Sequence, residues 1–308
     1  MATCILLAGT ATADTLEVPG NYPTINDAVL AANAGDTISI AAGTYPESNI
    51  FIQSPDITIT GAVNSDGSPA VKIDGEESND ILIAIGVVGA TGATVENIIF
   101  TGSTANAVWI YHHSPTIRNC VFAENSTEFQ GGAVWSSNTE ARFESCRFVN
   151  NSGGTNGSAV FTKGTTGLRG TTGPTFQDCH FEGNEAYATV LVQFRDAHFE
   201  QCTFQGNSGP TTLAVFSGTA VVSNSLFCEN QSDPITGPWN DDGGNEFHDV
   251  CPSDCIGDLN GDQTVGVDDL LALLDAFQVN DDGDCDGDGD TDVNDLLLLI
   301  GYYGATCS

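Results

Sequence analysis

The stretch Asn119-Cys120-Val121-Phe122-Ala123-Glu124-Asn125 returns four times along the chain with the same skeleton. Its echoes are Ser145-Cys146-Arg147-Phe148-Val149-Asn150-Asn151, Asp178-Cys179-His180-Phe181-Glu182-Gly183-Asn184, Gln201-Cys202-Thr203-Phe204-Gln205-Gly206-Asn207 and Asn224-Ser225-Leu226-Phe227-Cys228-Glu229-Asn230. A weaker copy is Asn97-Ile98-Ile99-Phe100. The closing asparagines step by 26, 33, 23 and 23 residues. A period near 23 with a strand-like pattern suits one turn of a parallel β-helix, each rung lying on the last.

Alternate strand residues face opposite ways, so parity assigns the faces. Ile98, Cys120, Cys146, Cys179, Cys202 and Ser225 form one inward column, and Phe100, Phe122, Phe148, Phe181, Phe204 and Phe227 a second. Val95, Ile117, Phe143, Phe176, Phe199 and Val222 form a third, before the turn. The residues between the first two columns are mixed in character, as an outward column should be. Asn125, Asn151, Asn184, Asn207 and Asn230 read as a ladder of amides along one corner. Identical residues stacked along a coil are a packing device, and the cysteines read as small buried hydrophobes.

A second strand per rung runs through Val108-Trp109, Val134-Trp135, Val160-Phe161, Val190-Leu191 and Val215-Phe216. With the valines inward, Trp109, Trp135, Phe161 and Phe216 would stand outside as an aromatic stripe able to stack sugar rings. The opposite assignment buries the aromatics as core.

Phe-x-x-Asn paired with Gly131-Gly132-Ala133-Val134 resembles the repeats of chlamydial polymorphic membrane proteins and of bacterial right-handed β-helix proteins. The opening Val18-Pro19-Gly20-Asn21-Tyr22-Pro23-Thr24-Ile25, followed by Gly35-Asp36-Thr37-Ile38 and Ala42-Gly43-Thr44-Tyr45, resembles the first coil of pectate-lyase-like proteins. That resemblance implies a mainly β, right-handed parallel β-helix over residues 14–252, with a capping helix from Ile25 to Ala32. The architecture carries both polysaccharide-degrading enzymes and inert surface proteins.

The chain has 308 residues, with 41 acids against 7 bases, for a net charge of −34. A phosphate backbone is gripped by clustered Lys and Arg, and beyond Arg195 there is neither. Nucleic acid is therefore excluded as a partner. No stretch reaches the ~18 apolar residues of a membrane span. Residues 1–13 read as a signal-peptide remnant ending in Ala11-Thr12-Ala13, the other reading being an N-terminal strand. The expected location is secreted, extracellular or at the cell surface. Ten cysteines fit an exported chain, with Cys228, Cys251, Cys255, Cys285 and Cys307 as the disulfide candidates.

A lyase would need a base beside calcium-binding acids, and a glycosidase paired carboxylates. Arg195 is the base nearest in kind, close to an insertion at Lys163–Pro174 that should bulge from a corner. Arg118, one rung from Glu96 and Glu144, reads as an exposed ion-pair ladder, and Asp241-Asp242 as a loop beyond the regular rungs.

From Cys255 the texture changes. Asp258, Asn260, Asp262, Thr264 and Asp269 span twelve positions, as do Asp284, Asp286, Asp288, Asp290 and Asp295. Hard oxygen ligands at that spacing predict two calcium sites, each running into a Leu-rich helix. The copies lack an entering helix and close with Asp, and they resemble type I dockerin repeats over residues 253–308. That resemblance implies a small α-helical calcium-binding domain and a cohesin-like or cell-surface partner. Loop positions that commonly hold Ser-Thr carry Val267, Asp268, Val293 and Asn294. Gln263 replaces a turn glycine, which should strain the first loop. The expectation for the whole chain is a non-catalytic surface or polysaccharide-binding component, with a lyase or glycoside hydrolase as the alternative.

Overall fold

The structure, a computed structural model, describes residues 13–86, 92–154, 156–165, 172–231, 233–251, 256–285 and 289–305. The expectation for residues 1–13 thus falls, but for Ala13, outside the described residues. Two compact units divide the chain, Met1–Asp249 and Val250–Ser308.

In the first unit the described strands gather into three parallel sheets of ten, nine and eight strands, with one further parallel pair, Ser126–Thr127 and Ser152–Gly153. The first sheet runs from Thr15–Val18 to Trp239–Asp241, the second from Gly43–Tyr45 to Glu246–His248, and the third from Ile50–Ile52 to Asp233–Thr236. Each complete rung donates one strand to each of these three sheets, and neighbours within a sheet come from consecutive rungs. The corner from first to second sheet is made by one left-handed residue per rung, at φ between 46° and 54° for Asn119, Ser145, Asp178, Gln201 and Asn224. Short polar side chains tolerate that conformation best.

All three inward columns are buried as their parity requires. The rings from Phe100 through Phe122, Phe148, Phe181 and Phe204 to Phe227 stack at 4.5–5.1 Å, one rung apart. Cys120, Cys146, Cys179 and Cys202 are free thiols. Each thiol lies 3.3–3.7 Å from two backbone carbonyls, as Cys146 does from Ile117 and Glu144. Along the asparagine corner, from Asn125 to Asn207, each Nδ2 donates to the next asparagine's Oδ1 and to a phenylalanine carbonyl of the rung before. Asn151, for example, reaches Asn184 Oδ1 at 3.0 Å and the Phe122 carbonyl at 2.9 Å.

The helix α1 (Ile25–Ala31) closes one end of the coil, packing Ile25, Ala28 and Val29 inward. Thr24 Oγ1 accepts from the Asp27 amide, and the Glu47 carboxylate takes the amides of Ile25 and Asn26. Two donors of the helix's first turn are thereby satisfied from a neighbouring rung.

The loop expected at Asp241-Asp242 is instead partly strand: Trp239–Asp241 pairs with Ala220–Val222. The open edge of the preceding rung templates another strand although the repeat has faded. Asn245 then bonds the Ser225 amide and the Val222 carbonyl, carrying the coil one rung further.

The second unit holds α2 (Val267–Ala276) and α3 (Val293–Tyr302) around Val265, Leu273 and Leu299. Among the described residues no helix is long and apolar enough to cross a membrane.

Candidate functional site

Four successive rungs reach the third sheet through corners of unequal length, and a cleft of about 680 Å³ lies along them. Asn49, Asn79, Asp80, Asn106, Glu128, Phe129 and Gln130 come from the corners, and Trp109 and Trp135 from the strands that follow. The corners are tied together. Asn106 Nδ2 donates to the Gln130 carbonyl at 2.9 Å, Ser103 Oγ to the Asp80 carbonyl at 3.0 Å, and Ser48 Oγ to Asp80 Oδ2 at 3.3 Å.

Trp109 and Trp135 face each other in register on adjacent strands, their rings 5.2 Å apart and 7° from parallel. Tyr111 stacks beside Trp109 at 5.4 Å, and the Lys163 ammonium sits 5.1 Å from the Trp135 ring. The indoles thus form one stacked apolar pair at the cleft. Phe129, 74% exposed, adds a third ring. Such a wall combines apolar ring surface with amide and carboxylate groups, which suits a hydroxyl-rich ligand.

The rest of the expected stripe does not reach this cleft. Phe161 is only 1% exposed and belongs to a cluster with Ala188, Leu191 and Ala214, against which Trp135 packs. Its strand neighbours are Trp135 and Leu191, so apolar side chains shield it on both sides. Phe216 is exposed but out of column, because Leu191 pairs with Ala214 and Phe216 with Gln193. Asp80, Asn106, Glu128 and Phe129 escaped the repeat reading because they lie where the repeat length varies.

Arg195 is turned into the fold. Its side chain is 10% exposed, 4.0 Å from Glu140, and its guanidinium donates to the Thr172 carbonyl. Nε is buried without an acceptor, and burial pulls the guanidinium pKa down. Glycines make room around it: a Cβ on Gly164 would lie 2.3 Å from its Cγ, and one on Gly218 would strike its carbonyl. Arg195 therefore braces a corner and does not line the cleft. Of the Lys163–Pro174 insertion, residues 166–171 lie outside the described residues.

In the second unit the two loops converge on carboxylates. Asp258, Asp262 and Asp269 bring ligand oxygens within 4.8 Å of one another, as do Asp290, Asp292 and Asp295. Asp269 and Asp295 are fully buried and occupy equivalent places. Asp269 accepts from the amides of Leu259, Asn260 and Gly266, and Asp295 from those of Cys285 and Asp292. Asp258 accepts from Gly261, Asp262 and Gln263. Thr264 donates to Asp262, and Asp284 accepts from Gly289. An all-oxygen donor set of this kind fits a hard cation. Asp286 and Asp288 lie outside the described residues. Gln263 does adopt the left-handed conformation, φ 68°, where the second loop has Gly289 at 92°. Outside the loops, Val267, Leu271 and Leu274 on α2 and Val293, Leu297 and Ile300 on α3 are exposed at equivalent positions.

A family model described as a right-handed β-helix region matches residues 83–249. No curated protein matches the chain. Among solved structures, ORF18 of Geobacillus virus E2 shares 14% identity over 77% of this chain and 61% of its own, with a TM-score of 0.47. The pectin methylesterase PemA of Erwinia chrysanthemi shares 12% over 73% of this chain and 82% of its own, TM-score 0.45. An alginate lyase from Paenibacillus sp. str. FPU-7 shares 13% over 76% and 98%, TM-score 0.43. The chain spans 61% of the length of the viral protein.

Proposed function

The chain belongs to the right-handed β-helix family, and from that premise we propose that it is a secreted or cell-surface polysaccharide-binding protein without catalytic function. Its tail is a dockerin-like module holding two calcium ions. The observation that carries the binding reading is the cleft, where Trp109, Trp135 and Phe129 meet amides from three other corners. Rings with amides at hand can cover a sugar's apolar face while its hydroxyls are bonded.

The calcium reading is supported by the paired, internally equivalent oxygen clusters, with Asp258, Asn260, Asp262, Thr264 and Asp269 around one ion. Asp284, Asp286, Asp288, Asp290 and Asp295 would serve the other. The exposed apolar positions repeated on α2 and α3 support a protein partner of cohesin-like or other surface type.

The test is co-elution of a polysaccharide panel with the full chain in calcium, scoring binding and chain shortening together. Binding without shortening is expected, and Trp109→Ala should weaken it at least about tenfold, a loss typical of removing a central aromatic contact. A panel that neither binds nor shortens refutes the reading. Hydrolysis is the second reading, favoured by Asp80 and Glu128 lining the same cleft. It requires shortening that disappears in Glu128→Gln.

A further inference from the structure

We propose that this cleft selects a neutral glycan and rejects uronic acid chains, an inference that rests on the glycan-binding reading above. Its titratable lining residues are Asp80 and Glu128, and among the described residues no Lys, Arg or His lines it. Of the other described cations, Lys72 pairs with Asp74, Arg118 with Glu96 and Arg147 with Glu182, Arg195 is held within the fold, and Arg142 is exposed and lines a different pocket. Lys163 is held against the Trp135 ring.

Carboxylates accept hydrogen bonds and donate none. Sugar hydroxyls supply the missing donors, and Asn49, Asn79 and Gln130 offer amides that both donate and accept. A uronate brings a second acceptor-only, like-charged group into the same partly desolvated space, on a chain whose net charge is already −34. A bridging cation could reverse this, yet the described acid clusters able to hold one both lie in the second unit.

The experiment is calorimetric titration of the full chain, in calcium and at low salt, with neutral hexasaccharides (glucan, mannan and xylan) and with homogalacturonan and alginate hexasaccharides. Binding of at least one neutral chain is expected, with uronates at least about tenfold weaker. The Asp80→Asn, Glu128→Gln double variant should narrow that gap to less than about threefold as the like charge is removed. Uronate binding equal to or tighter than neutral binding overturns the inference and leaves the glycan reading intact. A gap that survives the double variant also overturns it. Binding of neither class, or binding unaffected by Trp109→Ala, overturns both the inference and the reading beneath it.

Discussion

Asn151 illustrates what a single side chain does in this coil. Its Oδ1 takes the backbone amide and the Nδ2 of Asn125, while its own Nδ2 serves Asn184 and the Phe122 carbonyl. Replacement by alanine strands these groups in a buried corner, so Asn151→Ala should cost about 3 kcal/mol or more in chemical unfolding. A loss under about 1 kcal/mol would show that the ladder is ornamental to stability. The asparagines were legible in the sequence because the same residue recurs at the same step. So were the cysteines, and Ser225 takes their place with Oγ 2.9 Å from the Ser223 carbonyl. Burial pushes the Cys120 and Cys179 thiols well up, which keeps them unreactive as thiolates. The cleft residues offered no such signal: Asp80 and Glu128 have no counterparts at a fixed step.

At the scale of the element, the third sheet shows where sequence pattern loses its grip. Alternation places a residue inside or outside but is unchanged by a slip of two positions. Pattern alone aligns Phe216 with Leu191, whereas the register sets Ala214 there and pairs Phe216 with Gln193. The first strand, Thr15–Val18, raises a separate matter, since it is pinned through Asp36. That carboxylate accepts from the amides of Asp14 and Asn33, both at 2.8 Å, and these bonds hold its pKa below the ordinary value. A lowered folded pKa stabilises above the unfolded value and is lost as pH falls through the folded one. Amide-exchange protection at Thr37, which donates to Asp14, should therefore decline below about pH 4, the ordinary Asp range. In Asp36→Asn it should already be low at neutral pH. Unchanged protection in that variant would show that Asp36 does not hold the strand.

For the whole molecule, the two units rest on different physics. The coil buries apolar columns that each rung shares with the next, so its stability is close to a sum over neighbouring rungs. The second unit has a small core of Val265, Leu273 and Leu299 beside clustered carboxylates. Chelating calcium should therefore abolish the α2 and α3 helical signal in circular dichroism while the β signal persists. Helices that survive chelation would refute the calcium reading. The asparagine corner has one more property at this scale. Every side-chain link from Asn125 to Asn230 donates toward the C-terminal end, so the amide dipoles run head to tail in a single sense. Each link polarises the next, and the strength of the row grows with its unbroken length. Damage at its centre, leaving two short rows, should therefore weaken the coil more than the same damage at either end.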